Sequence, residues 1–336
     1  MKVFISGING FLGSHIALAL LERGAGVIGL ARKNQCNPLI AARRIDICLG
    51  DLNTPLKYKT ALRDCQAVIH CAALTSFGSG DKSAYFKSNW LGTKELLLAA
   101  SECGVRRFIH CGTRGTLGVA CPPENSDENC AHGAENCRGD YLRSKYLGER
   151  EVLNFALKGN MLCSVLSPTA LLGAHDYRPS PAGRIIQSLL RRKIYVYLDG
   201  GINVIDVRDA AAAFVSALEK ARNGDVYILG AHNVTLRGLF KQFCDLSGMG
   251  GLPLVKVPLP LAYAGSWLVE KAAILTGGEP FVTPLKVTSL YSNFSYCNCV
   301  KALRMLALPQ TPLERTCAGI VDWFNSVPLR EAYNKR

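Results

Sequence analysis

Val3-Phe4-Ile5-Ser6-Gly7-Ile8-Asn9-Gly10-Phe11-Leu12-Gly13 decides the architecture of this chain. Val3 to Ser6 is a short apolar run and predicts a buried strand. A helix follows from about Phe11 to Arg23, and Gly24 ends it. Gly7 and Gly10 let the backbone turn tightly and approach a pyrophosphate, while Gly13 lets the helix pack closely on the strand. The amino end of that helix then faces the phosphate charge. Glycines also serve ordinary turns, so the G-x-x-G-x-x-G pattern gains meaning only from its place between a first strand and a helix. Gly7, Asn9, Gly10, Phe11, Leu12 and Gly13 are therefore the candidate residues for a dinucleotide pyrophosphate.

Outward from this turn, strands and helices alternate. Strands are expected at Val27 to Leu30, Ile45 to Leu49, Ala67 to Cys71, Phe108 to Cys111 and Cys163 to Leu166. Helices are expected at Thr54 to Asp64, Ser83 to Cys103 and Tyr141 to Ala156. This order predicts an α/β fold, a doubly wound parallel sheet of the Rossmann kind with helices on both faces. The strands are apolar throughout, as burial on both sides requires. After Pro168 the rhythm becomes irregular, with short strands at Asn203 to Asp206 and Val226 to Leu229. The expected division is a cofactor-binding domain over 1–168. A smaller, mainly substrate-binding lobe would span 169–336, partly interleaved with the first sheet.

The end of the second strand selects the cofactor. A fold that prefers NAD(H) places an acid there for the ribose 2′-hydroxyl. This chain has Ala31-Arg32-Lys33 instead, and Arg32 and Lys33 suit a 2′-phosphate. NADP(H) is the expected cofactor, ahead of NAD(H). Asp51, after the third strand, could accept from the adenine amino group, although an aspartate opening a turn is common.

Tyr141-Leu142-Arg143-Ser144-Lys145 indicates what is done with the dinucleotide. A spacing of i, i+4 puts Tyr141 and Lys145 on one helix face. An ammonium beside a phenol favours the phenolate and is expected to lower the tyrosine pKa from about 10 toward the working pH. Such a tyrosine exchanges a proton with a carbonyl or carbinol oxygen while a hydride moves at carbon.

The 336 residues are 49% hydrophobic and 19% charged, which supplies a large core and excludes a disordered chain. The net charge of +13 suits anionic ligands such as a dinucleotide, a coenzyme A thioester or an acyl carrier protein. Basic residues form only short clusters, Arg43-Arg44, Arg106-Arg107 and Arg191-Arg192-Lys193, and no nucleic-acid motif accompanies them, so no nucleic acid is expected as a partner. The fourteen cysteines include Cys48, Cys71, Cys111 and Cys163 in apolar strands, where a thiol behaves as a small hydrophobe. With no signal peptide ahead of the first strand, a reducing cytoplasm is expected. Cys121, Cys130, His132 and Cys137 share one loop but lack the C-x2-4-C spacing of a zinc site, so no metal is expected. Pro258 to Gly277 is interrupted by Glu270 and Lys271 and reads as a buried or surface-packed helix, not a membrane span.

With these residues in place, the chain resembles the extended short-chain dehydrogenase/reductase family over nearly its full length. The resemblance rests on Ser6 to Gly13, Gly50-Asp51-Leu52, His70-Cys71-Ala72-Ala73, Asn89-x-x-Gly92-Thr93 and Tyr141-x-x-x-Lys145, in that order. Asn203 to Asp209, Val226 to Gly230 and Asn233 to Leu236 look most like its dihydroflavonol-reductase-like branch, which includes proteins labelled hopanoid-associated sugar epimerases. The resemblance implies a catalytic Ser or Thr after the fifth strand. Thr113 holds that position, with Thr116 as its rival in an altered run. It also implies that Asp51 and Leu52 flank the adenine and that Ala72 and Ala73 line the cleft. Lys145 would bond the nicotinamide ribose, and Pro168 and Thr169 would border the nicotinamide.

Arg114-Gly115 replaces the Asp-Glu that sugar-nucleotide 4,6-dehydratases carry. Gly200 to Asn203 lacks the Arg-Asp pair of many nucleotide-sugar epimerases. Both departures favour reduction of a ketone or aldehyde, and the apolar residues from Leu259 to Leu275 favour a hydrophobic or acyl-bearing substrate. The alternatives are an epimerase or isomerase that retains its cofactor, and a non-catalytic cofactor-binding sensor. By resemblance the chain forms a homodimer through its long fourth helix and the Tyr141 helix. Trp90, Leu91, Leu96, Leu97, Leu147 and Val152 would supply the apolar surface.

Overall fold

The computed structural model describes residues 1–75, 82–118, 125–130, 137, 139–191, 195–248, 254–276, 282–284, 287 and 294–326. Seven parallel strands form the central sheet: β1 (Lys2–Ser6), β2 (Gly26–Ala31), β3 (Asp46–Leu49), β4 (Ala67–His70), β5 (Arg107–Cys111), β6 (Leu162–Pro168) and a late strand, Val226–Leu229. The three strands between are β7 (Ala170–Leu172), β8 (Tyr195–Tyr197) and β9 (Gly201–Asp206), which makes Val226–Leu229 β10. The order across the sheet is β10-β6-β5-β4-β1-β2-β3. The order reverses beside β1, and such a switch point opens a crevice at the carboxyl ends of the strands.

Helices cover both faces. On one lie α1 (Phe11–Glu22) and a helix from the second half, Val207–Lys220, over a core that includes Val3, Ile5, Ile16, Ile69, Ile109 and Phe214. On the other lie α2 (Lys59–Arg63) and the helices Gly92–Glu102 and Asp140–Ala156, over Phe4, Val68, Leu97, Phe108 and Val152. Arg107 ties β5 to the second half by donating to the carbonyls of Ala217 (3.0 Å) and Ala221 (2.8 Å). β9 pairs with β7, with β11 (His232–Thr235) and with a short strand at Phe294–Ser295, forming a smaller sheet.

Two expected helices depart from regularity. The run from Thr54 to Asp64 splits into a 3₁₀ turn (Pro55–Lys57) and α2, because Tyr58 between them points wholly inward and donates its hydroxyl to the Leu52 carbonyl (2.8 Å). The run from Ser83 carries a π-helical segment, Phe86–Leu91, before Gly92–Glu102. That bulge sets Asn89 inward, fully buried, a common use of a π turn.

Leu259–Leu275 is a helix, but only Ser266 is buried, and Leu261, Trp267, Leu268, Ile274 and Leu275 are exposed. Its apolar side chains therefore do not fill the core of the second lobe. Of the residues expected at a dimer surface, Leu96, Leu97 and Val152 belong to the core, whereas Leu91 is exposed. No helix among the described residues is long and apolar enough to cross a membrane.

Candidate active site

The glycine turn stands as read. Gly7 has φ +75°, and a Cβ there would lie 2.6 Å from the Ala72 nitrogen. Gly10 donates its N–H to the Gly7 carbonyl (2.9 Å), and Gly13 packs its Cα side against that same carbonyl. No side chain caps α1, and its first turn contains no acid. The amides of Phe11 and Leu12 therefore open on a bare, electropositive helix end beneath a cradle that any side chain would fill. This is the geometry a pyrophosphate needs, and the residues fit a dinucleotide.

Asn9 has a further task. Its amide donates to the Gln35 carbonyl (2.7 Å) and accepts from the Asn37 N–H (2.8 Å), which pins the loop after β2 to the glycine turn. Arg32 and Lys33, both exposed, leave β2 at the start of that loop. Burial pushes the Asp51 carboxyl up. Hydrogen bonds from Asn53 and the charges of Arg32 and Lys87 outweigh it and hold the group below its usual range. The Arg32 charge and the Asp51 carboxylate thus face one corner, where the adenosine end of a dinucleotide would rest. Leu52 is buried, and Ala72 and Ala73 are half-buried beside the cradle.

At the other end, α5 (Asp140–Ala156, following α3 at Ser83–Tyr85 and α4 at Gly92–Glu102) carries Tyr141 and Lys145. Gly148 brings α5 against the π segment, where a Cβ would collide with the Asn89 carbonyl. The Tyr141 hydroxyl is hydrogen-bonded to Thr113. Thr116 is turned away: its hydroxyl lies 2.8 Å from both the Thr113 carbonyl and Glu149 Oε2. Between the two candidate threonines, Thr113 is therefore the one that shares a site with Tyr141. Lys145, buried, donates from Nζ to the Cys111 carbonyl (2.6 Å).

The expected electrostatics are corrected here. Burial raises the Tyr141 pKa well above the usual phenol range; the neighbouring Cys111 adds to the rise and the Thr113 bond opposes it. Burial also lowers the Lys145 pKa. Desolvation is the largest effect on the phenol and favours its neutral form, which can donate a proton. Pro168 ends β6, and Thr169 spends its N–H (2.9 Å) and hydroxyl (3.2 Å) on the Leu229 carbonyl, fixing the chain where β6 meets β10.

Several buried groups that hold the site were not singled out as site residues from sequence. Asn89 accepts from the Leu74 N–H (2.7 Å) and donates to Ser144 Oγ (3.0 Å), joining the loop after β4 to α5. His70 bridges Ser6 Oγ (2.6 Å) and Thr93 Oγ1 (2.9 Å). The Thr93 hydroxyl donates to the Asn89 carbonyl, so it accepts from His70 Nε2–H. Burial lowers the His70 pKa to about 3 and the Lys145 charge adds to the effect, so this imidazole stays neutral. Glu149 is buried one turn beyond Lys145, and burial raises its pKa. The i, i+4 spacing from Lys145 was the available signal, but it cannot tell a buried glutamate from a solvated one.

Of the loop cluster, Cys121 and His132 lie outside the described residues, and among the described residues no group of three His, Cys, Asp or Glu could hold a metal ion.

The sequence profile of the NAD-dependent epimerase/dehydratase family matches residues 3–230. The chain belongs to that family. It is an NAD(P)-dependent enzyme of the extended short-chain dehydrogenase/reductase type. It is 33% identical over 329 residues to a Synechocystis protein named "Putative dihydroflavonol 4-reductase", covering 96% of this chain and 94% of that one. It is 27% identical over 271 residues to sterol demethylase protein B of Methylococcus capsulatus, covering 77% and 82%. The crystal structure of gox2253 superimposes with a TM-score of 0.83 at 29% identity, covering 96% of this chain and 98% of that one.

Proposed function

We propose that this enzyme uses NADP(H) to reduce a ketone or aldehyde, on a hydrophobic or acyl-bearing molecule, to an alcohol. The hydrogen bond between Tyr141 and Thr113 beside buried Lys145 carries the reading. Two hydroxyls converge on one point, where a carbonyl oxygen would accept from both. Thr113 orients that oxygen, and Tyr141, kept protonated by burial, gives it a proton. Lys145 fixes the Cys111 backbone beside the cleft and presents its remaining N–H groups to the cofactor ribose. When bound, the reduced nicotinamide supplies the hydride at the carbonyl carbon.

The printed names of the relatives fit this chemistry, since a dihydroflavonol and a sterol are both hydrophobic ring systems. Arg114, at the position where a dehydratase has an acid, is occupied by Ser126 Oγ (2.7 Å) and Cys297 Sγ (3.3 Å). A turnover panel with NADPH against β-keto thioesters, steroid ketones, dihydroflavonols and nucleotide sugars tests the proposal. Turnover of a nucleotide sugar alone, without net change in NADPH, overturns it in favour of an epimerase.

Cofactor choice rests on Arg32. Replacing Arg32 with Ala is expected to weaken NADPH binding by about 1–3 kcal/mol, the range for charge-assisted hydrogen bonds, and to leave NADH nearly unchanged. Fluorescence titration of both cofactors checks this. Equal or tighter binding of NADH by the unaltered protein refutes the preference.

A further inference from the structure

Cys71 and Cys111 stand side by side at the mouth of the crevice. β4 and β5 are paired in register through His70 and His110, and each cysteine is the next residue along its strand. Neighbouring strands lie about 4.8 Å apart, within the Cα separation of about 4.4–6.8 Å that a disulfide spans. The two side chains already hydrogen-bond one another. They are partly exposed, whereas Cys65, Cys163, Cys244 and Cys317 are buried. Cys71 abuts the glycine cradle, because a Cβ on Gly7 would lie 2.8 Å from the Cys71 carbonyl carbon. The Cys111 carbonyl is the acceptor of Lys145 Nζ. The pair thus touches both ends of the cofactor apparatus.

We propose that Cys71 and Cys111 form a redox-reactive pair that closes to a disulfide under hydrogen peroxide when the cofactor is absent, and that the closed form cannot hold the cofactor. The two thiols are not equivalent. The hydrogen bond from Cys71 lowers the Cys111 pKa against the opposing effect of burial, and the Lys145 charge assists. The same bond and burial raise the Cys71 pKa. Cys111 is therefore the thiolate that attacks.

The Cys111 sulfur displaces hydroxide from the peroxide O–O bond and becomes a sulfenic acid. Cys71 then attacks that sulfur, its proton leaves with the departing oxygen as water, and the S–S bond forms. In sum, two thiols and one hydrogen peroxide give one disulfide and two waters. The sulfurs lose two electrons and the peroxide gains them. A dithiol reverses the step by exchange. Closure brings the two sulfurs from hydrogen-bond to covalent distance and reorients both side chains at the strand ends, which shifts the Cys111 carbonyl away from Lys145 and narrows the space above Ala72.

The test treats the full cofactor-free protein with hydrogen peroxide, alkylates the remaining thiols and maps tryptic peptides by mass spectrometry. The expected product links the peptide Asp64 to Lys82 with the peptide Phe108 to Arg114 and disappears on dithiothreitol treatment. Cys65 shares the first peptide, so Cys65→Ser should keep the link and Cys71→Ser should abolish it. NADPH at about a hundred times its Kd should slow linking at least tenfold. The linked protein should bind NADPH at least about tenfold more weakly, and dithiothreitol should restore binding. Oxidation elsewhere with no Cys71–Cys111 link, or a linked protein that binds NADPH normally, overturns the proposal. Linking that NADPH does not slow leaves the pair standing and overturns the cofactor placement instead. These readouts need no substrate, so they stand apart from the reductase reading.

Discussion

Tyr141→Phe is expected to lower turnover by at least about 100-fold while leaving the fold and cofactor affinity in place. The substitution removes one hydroxyl. The ring still packs edge-on against Tyr85, with centroids 6.4 Å apart. What disappears is the proton delivered to the carbonyl oxygen. The raised Tyr141 pKa adds a second signature. Reduction needs the protonated phenol, so the rate of the unaltered enzyme should stay level as pH rises toward about 10, where an ordinary tyrosine ionises. A pH–rate profile that falls below about pH 9 in this direction would contradict that assignment. Lys145→Ala should damage turnover and cofactor binding together, which separates its role from that of Tyr141. Near-normal turnover by the Tyr141→Phe protein would mean that the proton comes from elsewhere.

Gly13→Ala should be among the most damaging single-methyl changes at the described glycines. Its Cβ would fall inside the van der Waals envelope of the Gly7 carbonyl oxygen and within 3.2 Å of Ile8 Cα. Both neighbours are backbone, so α1 itself must shift. Overpacking of this kind costs about 1–3 kcal/mol, and the upper end applies where no side chain can yield. The shift also opens the cradle, so NADPH affinity should fall at least about tenfold beyond the stability loss. Gly265→Ala makes the contrast. That glycine is also helical, but nothing lies within 4 Å of its Cβ position. It should gain about 0.5–1 kcal/mol from helix propensity. Denaturant midpoints and cofactor titrations of the two variants check both signs. An unaffected Gly13→Ala protein would show that the helix can slide.

The parts legible from sequence were those governed by local pattern. The glycine turn, the apolar parallel strands and the Tyr141–Lys145 spacing each depend on a few neighbouring residues, and the structure has them as read. What escaped depends on depth. The same spacing suggested a lowered tyrosine pKa, but desolvation reverses it, and the groups around the phenol are Tyr85, Cys111 and Thr113, all distant in sequence. Sequence also could not show that Leu259–Leu275 lies on the surface, because a helix apolar on all sides has no face to assign. The split at Tyr58 and the inward turn of Asn89 arise from contacts with Leu52, Leu74 and Ser144, distant in the chain or set by loops. His70 was visible as part of a motif, but its bridge between Ser6 and Thr93 was not.

The late strand β10 limits how this protein can be cut or recombined. A fragment ending at Pro168 would retain almost every residue assigned to the cofactor. It would also leave β6 as a raw edge, strip the face beneath Val207–Lys220 and leave the Arg107 guanidinium without its two carbonyls. Such a piece has the proposed cofactor residues but not the full sheet that holds them in place. A chimaera that exchanges substrate specificity between relatives must therefore keep two stretches of its parent, the first 168 residues and the block from Val207 to Leu229, and graft only around them. The residues proposed for the dinucleotide lie mainly in the first half of the gene, whereas the sheet that would hold them is encoded in both.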